Sequence, residues 1–495
     1  FHTTFREAAP LVIVPGFVTE QEGGRRVGDV RVYGVDDRFW AFHGVPPMGP
    51  ADREALLSPV LARELNVQPG GTVLVRVQRP SDLPLESVHG RKNDLGRTLR
   101  LTVRAIVPSG AVGEFSLEAQ QADVRAVFVP LARLQLELEV GDRVNTILVS
   151  ANSEETRAAA SLDDLVRRHA TLDDLGLTLR TLDDRGLLTL GSRAGFLTDT
   201  QAAEAAEAGT RAGMSGTPVF TYLANTLRRG DREVPYSLVT AIDLGSLTPA
   251  IALPPERDTP AIVLNEWAAA ELQAKAGDPL TLEYYLWEDP GQLVTRTAEF
   301  RVAGVVPVEA GDRNLVPDYP GITDSPTLAG WDPPFPVDLR RIRPADEAYW
   351  ERYKTTPKAF VPLEAGQRLW RSRHGGLTSL RFVPPAGQSL DDARGQYAAQ
   401  LATVVDPLAM GLVVRDVRAD GVAASRGATD FGAYFVYFSF FLVVSAMLLA
   451  ALFFKLGVEQ RAREVGLLRA VGFGPAEVRR LFMLEGLVLG LAGSG

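Results

Sequence analysis

From Phe431 to Phe454 the chain reads FGAYFVYFSFFLVVSAMLLAALFF, 24 residues without a charge. As a helix rising 1.5 Å per residue the run is about 36 Å long, enough to cross a hydrocarbon core of about 30 Å with some tilt. The competing reading is a core helix of a soluble protein, but such helices seldom run this far without a polar stripe. Tyr434 and Tyr437 stand at one end as interfacial rings do, and Lys455 closes the other. The segment 431–456 is therefore read as a transmembrane helix.

The flanks orient it. Between Lys455 and Arg480 lie six basic residues (Lys455, Arg461, Arg463, Arg469, Arg479, Arg480) against three acids (Glu459, Glu464, Glu477). A short segment with that excess belongs in the cytoplasm. The segment 457–480 is then a cytoplasmic turn, and residues 1 to about 425 lie outside the cell membrane. The run LFMLEGLVLGLAGSG, 481–495, reads as the first half of another span. Within it Glu485 either lies near the interface or faces other helices. Gly486, Gly490 and Gly493 would let a neighbouring helix approach closely.

At 495 residues the chain exceeds one core, so at least two globular units are expected. A net charge of −9 gives no basic field to draw nucleic acid. Cysteine is absent, which excludes disulfides, thiolate nucleophiles and cysteine metal sites. The chain starts at Phe1 without a leader pattern and stops inside an apolar run at Gly495, so further sequence is expected at both ends.

The exterior region repeats itself. LARELNVQPGGTVLVRVQ, from Leu61, parallels AAAELQAKAGDPLTLEYY, from Ala268, pairing Glu64, Leu65 and Gly70 with Glu271, Leu272 and Gly277, each 207 positions apart. The same offset pairs GDVRVYGVD, ending at Asp36, with VPYSLVTAID, ending at Asp243. RLTVRAIVP near Pro108 matches FRVAGVVP near Pro307, and VFVPLARLQ from Val127 matches AFVPLEAGQ from Ala359. Common motif order with differing loop lengths indicates duplication. Each unit reads as a strand, a short helix capped by Ser58 or Asn265, a Pro/Gly turn, two further strands, a strand leading into a helix from Pro130, and later strands. A hairpin across Asp289-Pro290-Gly291 and matching strands GLTLR and GLVVR complete the pattern.

The fold class expected is α+β, an internally duplicated extracytoplasmic region followed by transmembrane helices. The boundaries expected are a lead-in, 1–27; a first repeat, 28–186; a linker, 187–233; and a second repeat, 234–418, with an insertion at 307–357. The insertion carries Tyr319, Trp331, Phe335, Tyr349, Trp350 and Tyr353 among many prolines, so it is either a partner-binding surface or a self-packed loop.

Site chemistry is sparse. His2, His43, His89, His169 and His374 show no metal-ligand spacing. Asp163-Asp164, Asp173-Asp174 and Asp183-Asp184 lack the alternation of a calcium loop and read as caps and turns. Neither a phosphate loop nor a GxSxG elbow occurs. Nothing reads as a self-contained enzyme, and no metal or cofactor is expected on the chain.

The segment from Val458 to Glu485 reads VEQRAREVGLLRAVGFGPAEVRRLFMLE. Val458, Ala462, Val465 and Leu468 recur at helical spacing, Gly472 suits a helix end, and Pro475 suits a helix start. Such a turn would rest on lipid head groups or press into a groove of another protein. The stretch R-x-R-E-V-G-L-L-R-A-V-G-F, between an apolar span and a glycine-rich one, resembles the FtsX-like permeases, membrane subunits of MacB-type ABC transporters. VYGVDDRFWAF, VLNEW and KAFVPL resemble the exterior domains of the duplicated bacterial kind.

The resemblance implies a bacterial cytoplasmic membrane protein with one helix before Phe1 and more after Gly495. It implies a turn docking on a separate ABC ATPase subunit, with contacts from Arg463, Glu464, Leu467, Leu468, Arg469, Gly472 and Phe473, and ATP bound only on that partner. Leu468 is the expected knob in the partner groove. Other partners implied are a second permease copy or a paralogue, the bilayer, and an extracytoplasmic partner. The function implied is ATP-driven movement of the exterior domain for export or extraction of lipid, lipoprotein or peptide. The alternative is an ATPase-linked regulator or sensor acting on a cell-wall hydrolase or an antibiotic outside the membrane.

Overall fold

In the computed structural model the described residues are 5–81, 83–84, 96–118, 123–151, 157–247, 249–251, 259–288, 292–425 and 431–493. The chain divides into two units, one holding nearly all of residues 1–415 and one holding 416–495.

The first half of the larger unit runs β1 (Phe5–Glu20), β2 (Arg26–Val35), α1 (Asp37–Phe42), β3 (Glu54–Leu57), α2 (Pro59–Leu65), β4 (Thr72–Gln78), β5 (Gly96–Ile106), β6 (Ala126–Pro130), α3 (Leu131–Leu138) and β7 (Thr146–Ala151). The strand order is β2-β6-β3-β5-β4-β1-β7, and β1 also pairs with β2, so six strands close into a ring. Closure removes the free edges on which an open sheet would aggregate. Alternating apolar residues, among them Val14, Val32, Val73, Val75, Leu101 and Val127, fill its interior.

After α4 (Arg157–His169), β8 (Leu177–Leu182), β9 (Leu187–Ser192) and α5 (Asp199–Arg211), the pattern recurs. It runs β10 (Ser215–Arg229), β11 (Arg232–Ile242), β12 (Ala261–Asn265), α6 (Glu266–Leu272), β13 (Pro279–Glu288), β14 (Gln292–Val306), α7 (Pro344–Tyr353), β15 (Ala359–Pro362), α8 (Leu363–Trp370), β16 (Ser379–Val383) and α9 (Leu390–Val404). The order is β11-β15-β12-β14-β13-β10-β16-β9-β8, again with β10 paired to β11. Renumbered from its first strand, the second ring repeats the order of the first.

The likeness reaches single hydrogen bonds. β3 on β5 and β12 on β14 both run parallel, and both slip register at the second residue, after Ala55 and after Ile262. Gly70 and Gly277, at φ +92° and +93°, each donate at 2.7 Å to β5 or β14 (Val103 O, Val302 O). A side chain at that φ is strained, so the position calls for glycine. Ser58 and Asn265 cap α2 and α6, and Asn66 and Gln273 close them in the left-handed region.

The segment 187–233, expected as a linker, is folded: it contains β9, α5, β10 and the start of β11. The lead-in 1–27 likewise contains β1, which closes the first ring. β1 and β10 each pair with the next strand, β2 or β11, and also with strands far off in sequence, β4 and β7 or β13 and β16. β8 and β9 extend the second sheet beyond β16, where α5 and α9 cover it with Ala205, Ala208, Tyr397 and Leu401. GLVVR, 411–415, forms no strand, unlike GLTLR in β8. The turn 289–291 lies outside the described residues, although β13 and β14 pair up to Glu288 and Gln292.

The segment between β14 and β15 is long, and its rings are interior. Tyr319, Trp331, Phe335 and Trp350 join the core of the second ring, with Trp331 edge-on to Trp350 at 5.1 Å. Tyr349 is buried too, accepting from Asn265 Nδ2 at 2.8 Å. The self-packed reading holds for these five.

The smaller unit holds α10 (Val417–Ser425), α11 (Phe431–Gln460), α12 (Ala462–Ala470) and α13 (Pro475–Gly493). α11 continues past Phe454 for a further turn and a half, to Gln460.

Candidate functional site

α11 is long and apolar enough to cross a membrane, and none of its best window is buried by other protein. A soluble core helix would be covered, so lipid is the solvent that this surface suits. α13 returns beside it: a Cβ on Gly486 would stand 2.6 Å from the Phe454 ring. Gly490 and Gly493 face open space. The close approach expected of three glycines is made by Gly486.

Between them α12 turns the chain. Arg461, at φ −95° and ψ 22°, breaks the helical path between α11 and α12. At the other end Gly472 N–H donates to Arg469 O at 3.2 Å and Phe473 N–H to Leu468 O at 3.1 Å. Gly472 stands at φ +106°. This paired bonding about a left-handed glycine satisfies the last carbonyls of α12. Gly474 then donates to Glu477 Oε2 at 2.8 Å, and Pro475 opens α13.

The bend sorts the apolar side chains. Val458, Val465 and Leu468 are half-buried and Val478 is buried, so these side chains serve the turn's own packing. Leu467, Val471 and Phe473 are 66%, 73% and 46% exposed. Arg463, Glu464 and Arg469 are exposed beside them. Of the seven expected contact residues, Leu468 is the one partly withdrawn from the surface. Val471, four residues after Leu467, is exposed on the same side of the turn.

Arg461 Nη1 meets Glu485 Oε1 at 2.6 Å, and this hydrogen bond raises the Arg461 pKa. Glu485 thus lies level with the start of α12, as an interfacial acid would. The pair ties the first helix–helix bend to α13.

Elsewhere the chemistry is structural. His43 packs among Phe39, Phe42 and Phe115, where burial lowers its pKa. Asp174 accepts from the Thr171 hydroxyl and N–H, and these bonds hold its carboxyl below the usual range. Asp173 pairs with Arg143 and Arg193. Asp183 and Asp184 sit in the β8–β9 turn. Among the described residues no group of three or more His, Asp or Glu is arranged to hold a metal. Lys358 is buried, its Nζ 4.9 Å from the Trp267 ring and 5.2 Å from that of Tyr349, and burial pushes its pKa down to about 8.

Residues 436–495 match the family model FtsX-like permease C-terminal. No curated protein matches the chain. Among solved structures it is similar to the crystal structure of the periplasmic region of MacB from Actinobacillus actinomycetemcomitans, at 13% identity and a TM-score of 0.22, over 34% of this chain and 68% of that one. A likeness that slight carries no argument.

Proposed function

We propose that this chain is the permease subunit of an ABC transporter, and that its turn 457–480 docks on a separate ATPase subunit. The observation that carries the reading is the turn itself. Three bare apolar side chains, Leu467, Val471 and Phe473, lie on and just past the end of a helix closed by a left-handed glycine. They lie within the FtsX-like match. A short apolar patch flanked by arginines suits a groove on a protein partner, because burying it removes apolar surface from water while the charges stay at the rim.

ATP-driven closure of two ATPase subunits would push the turn, and α11 and α13 would pass that displacement to the exterior domain. The work done outside is export or extraction of lipid, lipoprotein or peptide from the membrane. The membrane is the bacterial cytoplasmic membrane, and residues 1 to about 425 lie outside it. The basic excess of the turn supports that orientation.

The chain contains no cysteine, so single cysteines report topology cleanly. In intact cells Ser389→Cys should react with an impermeant maleimide and Gln460→Cys should not. The full-length protein should co-purify with an ABC ATPase. The opposite labelling pattern, or purification without any ATPase under conditions that preserve the complex, would overturn the reading.

A further inference from the structure

The outer walls of the two rings carry opposite charge at equivalent positions. In the first ring, cross-strand pairing lines up Arg26, Thr19, Leu74 and Arg100 across β2, β1, β4 and β5. The next row holds Phe17, Arg76 and Thr98. In the second ring the corresponding rows are Glu233, Arg228, Thr281 and Glu299, then Thr226, Glu283 and Thr297. Arg26, Arg76 and Arg100 therefore become Glu233, Glu283 and Glu299.

The arginine wall is unsatisfied. All three guanidiniums are exposed, and among the described residues none has a carboxylate partner. Arg26 lies 3.7 Å over the Phe17 ring and Arg76 lies 5.8 Å from it, so an aromatic plate separates two cations. On the glutamate wall, Arg228 sits 3.9 Å from Glu233 and 3.8 Å from Glu283, while Arg341 reaches Glu233 at 3.3 Å. Glu299 is exposed and, among the described residues, accepts only the Thr281 hydroxyl, at 2.9 Å. A carboxylate has about four acceptor sites, so each of these acids keeps free lone pairs.

Because the rings share strand order and register, the two walls share spacing. Three strand intervals of about 4.8 Å separate Arg26 from Arg100 and, equally, Glu233 from Glu299. Within one chain the walls do not meet. In a pair of chains related by a two-fold axis, each first ring would face the other chain's second ring, giving two equal contacts and a closed assembly.

We propose that the Arg26–Arg76–Arg100 wall of the first ring docks on the Glu233–Glu283–Glu299 wall of the second ring in another copy of this chain. The proposal stands on the exterior domain alone and holds whether or not the turn 457–480 binds an ATPase.

The test uses the full chain in nanodiscs and a bismaleimide cross-linker. Chains with Thr98→Cys are mixed with chains with Thr297→Cys. The mixed pair should cross-link well above either chain alone, less at high salt, since the contact is between screened charges. Adding Arg76→Glu and Arg100→Glu to the Thr98→Cys chain should lower the yield about tenfold. Placing Glu283→Arg and Glu299→Arg in the Thr297→Cys chain should restore it. These sites face outward, so an unchanged melting temperature checks the fold. Equal yields in the reversed chain, or no rescue by the second reversal, overturn the proposal. So does a result in which the arginine reversals leave cross-linking intact but abolish binding to phosphatidylglycerol vesicles, which would give the wall to anionic lipid.

Discussion

Arg381 holds Asp312 with both terminal nitrogens, Nη1 to Oδ2 and Nη2 to Oδ1, at 2.8 Å each. The pair is largely buried and fastens the segment after β14 onto β16. Arg185, from the β8–β9 turn, donates to Gly311 O at 2.8 Å and to Glu309 O at 2.9 Å beside it. β16 and the β8–β9 turn therefore clamp the start of the longest loop of the second ring.

Removing one partner leaves a buried charge unpaired. Asp312→Ala should cost about 3–5 kcal/mol, read from thermal unfolding of the solubilised chain. Burial pushes the Asp312 pKa up, but Arg381 and the Asn314 N–H outweigh it and hold the carboxyl below its ordinary value. With the folded pKa depressed, the stabilisation is complete above the unfolded value of about 3.9 and fades as pH falls through the folded value. Asp312→Ala should lose that part of the acid sensitivity.

Lys358 also has a lowered pKa when folded, but here the charged form is the one that burial disfavours. Its pKa falls from 10.5 to about 8 on burial, so the folded chain releases a proton that the unfolded chain keeps. Stability should rise with pH between those values and be flat below them, at a penalty of roughly 3 kcal/mol when the amine is charged. Lys358→Met keeps the packing against Trp267 and Tyr349. It should raise the melting temperature at pH 7 and remove the rise between pH 8 and 10.

Much of this fold was legible where local chemistry decides it. The caps at Ser58 and Asn265 and the turns at Gly70 and Gly277 are short-range signals, and they aligned the halves correctly. Ring closure was not legible, because β1 and β10, besides their hairpin partners β2 and β11, must also pair with β4 and β13 far on in sequence. β10 fell inside the span 187–233 expected as a linker, although Val219 to Leu227 are buried. In the turn the apolar stripe was real, but spacing alone does not say whether a stripe faces a partner or the chain's own helices. Leu468 is half-buried in the turn, whereas Leu467 is exposed.

Gly472 tests the bend without touching any contact. A Cβ there would meet nothing within 4 Å, so substitution acts through backbone strain at φ +106°. Gly472→Val should cost about 1–2 kcal/mol locally and disturb the path from α12 to α13. Gly472→Asn should be tolerated, since asparagine visits the left-handed region. The measurement is ATPase stimulation by the reconstituted permease: reduced for Val, near normal for Asn. Equal loss in both would point to a contact at residue 472 and away from backbone geometry.

The outward side chains carry the sharpest prediction. Leu467, Val471 and Phe473 are bare, whereas Leu468 is half-buried within the turn. Truncating a well-packed anchor at an interface commonly costs 2 kcal/mol or more, and a buried unpaired carboxylate adds to that. Leu467→Asp and Phe473→Asp should therefore weaken capture of the ATPase subunit by about thirtyfold or more while leaving the melting temperature within about a degree. Leu468→Ala should do the reverse. Removing a partly buried side chain between α12 and its neighbours lowers stability by about 1–2 kcal/mol and leaves the outward patch in place. Co-purification and thermal unfolding of the same three variants separate the two effects. If Leu467→Asp retains the ATPase at wild-type stoichiometry while Leu468→Ala loses it, the docking face is the other side of α12. If all three retain it, the patch rests on lipid.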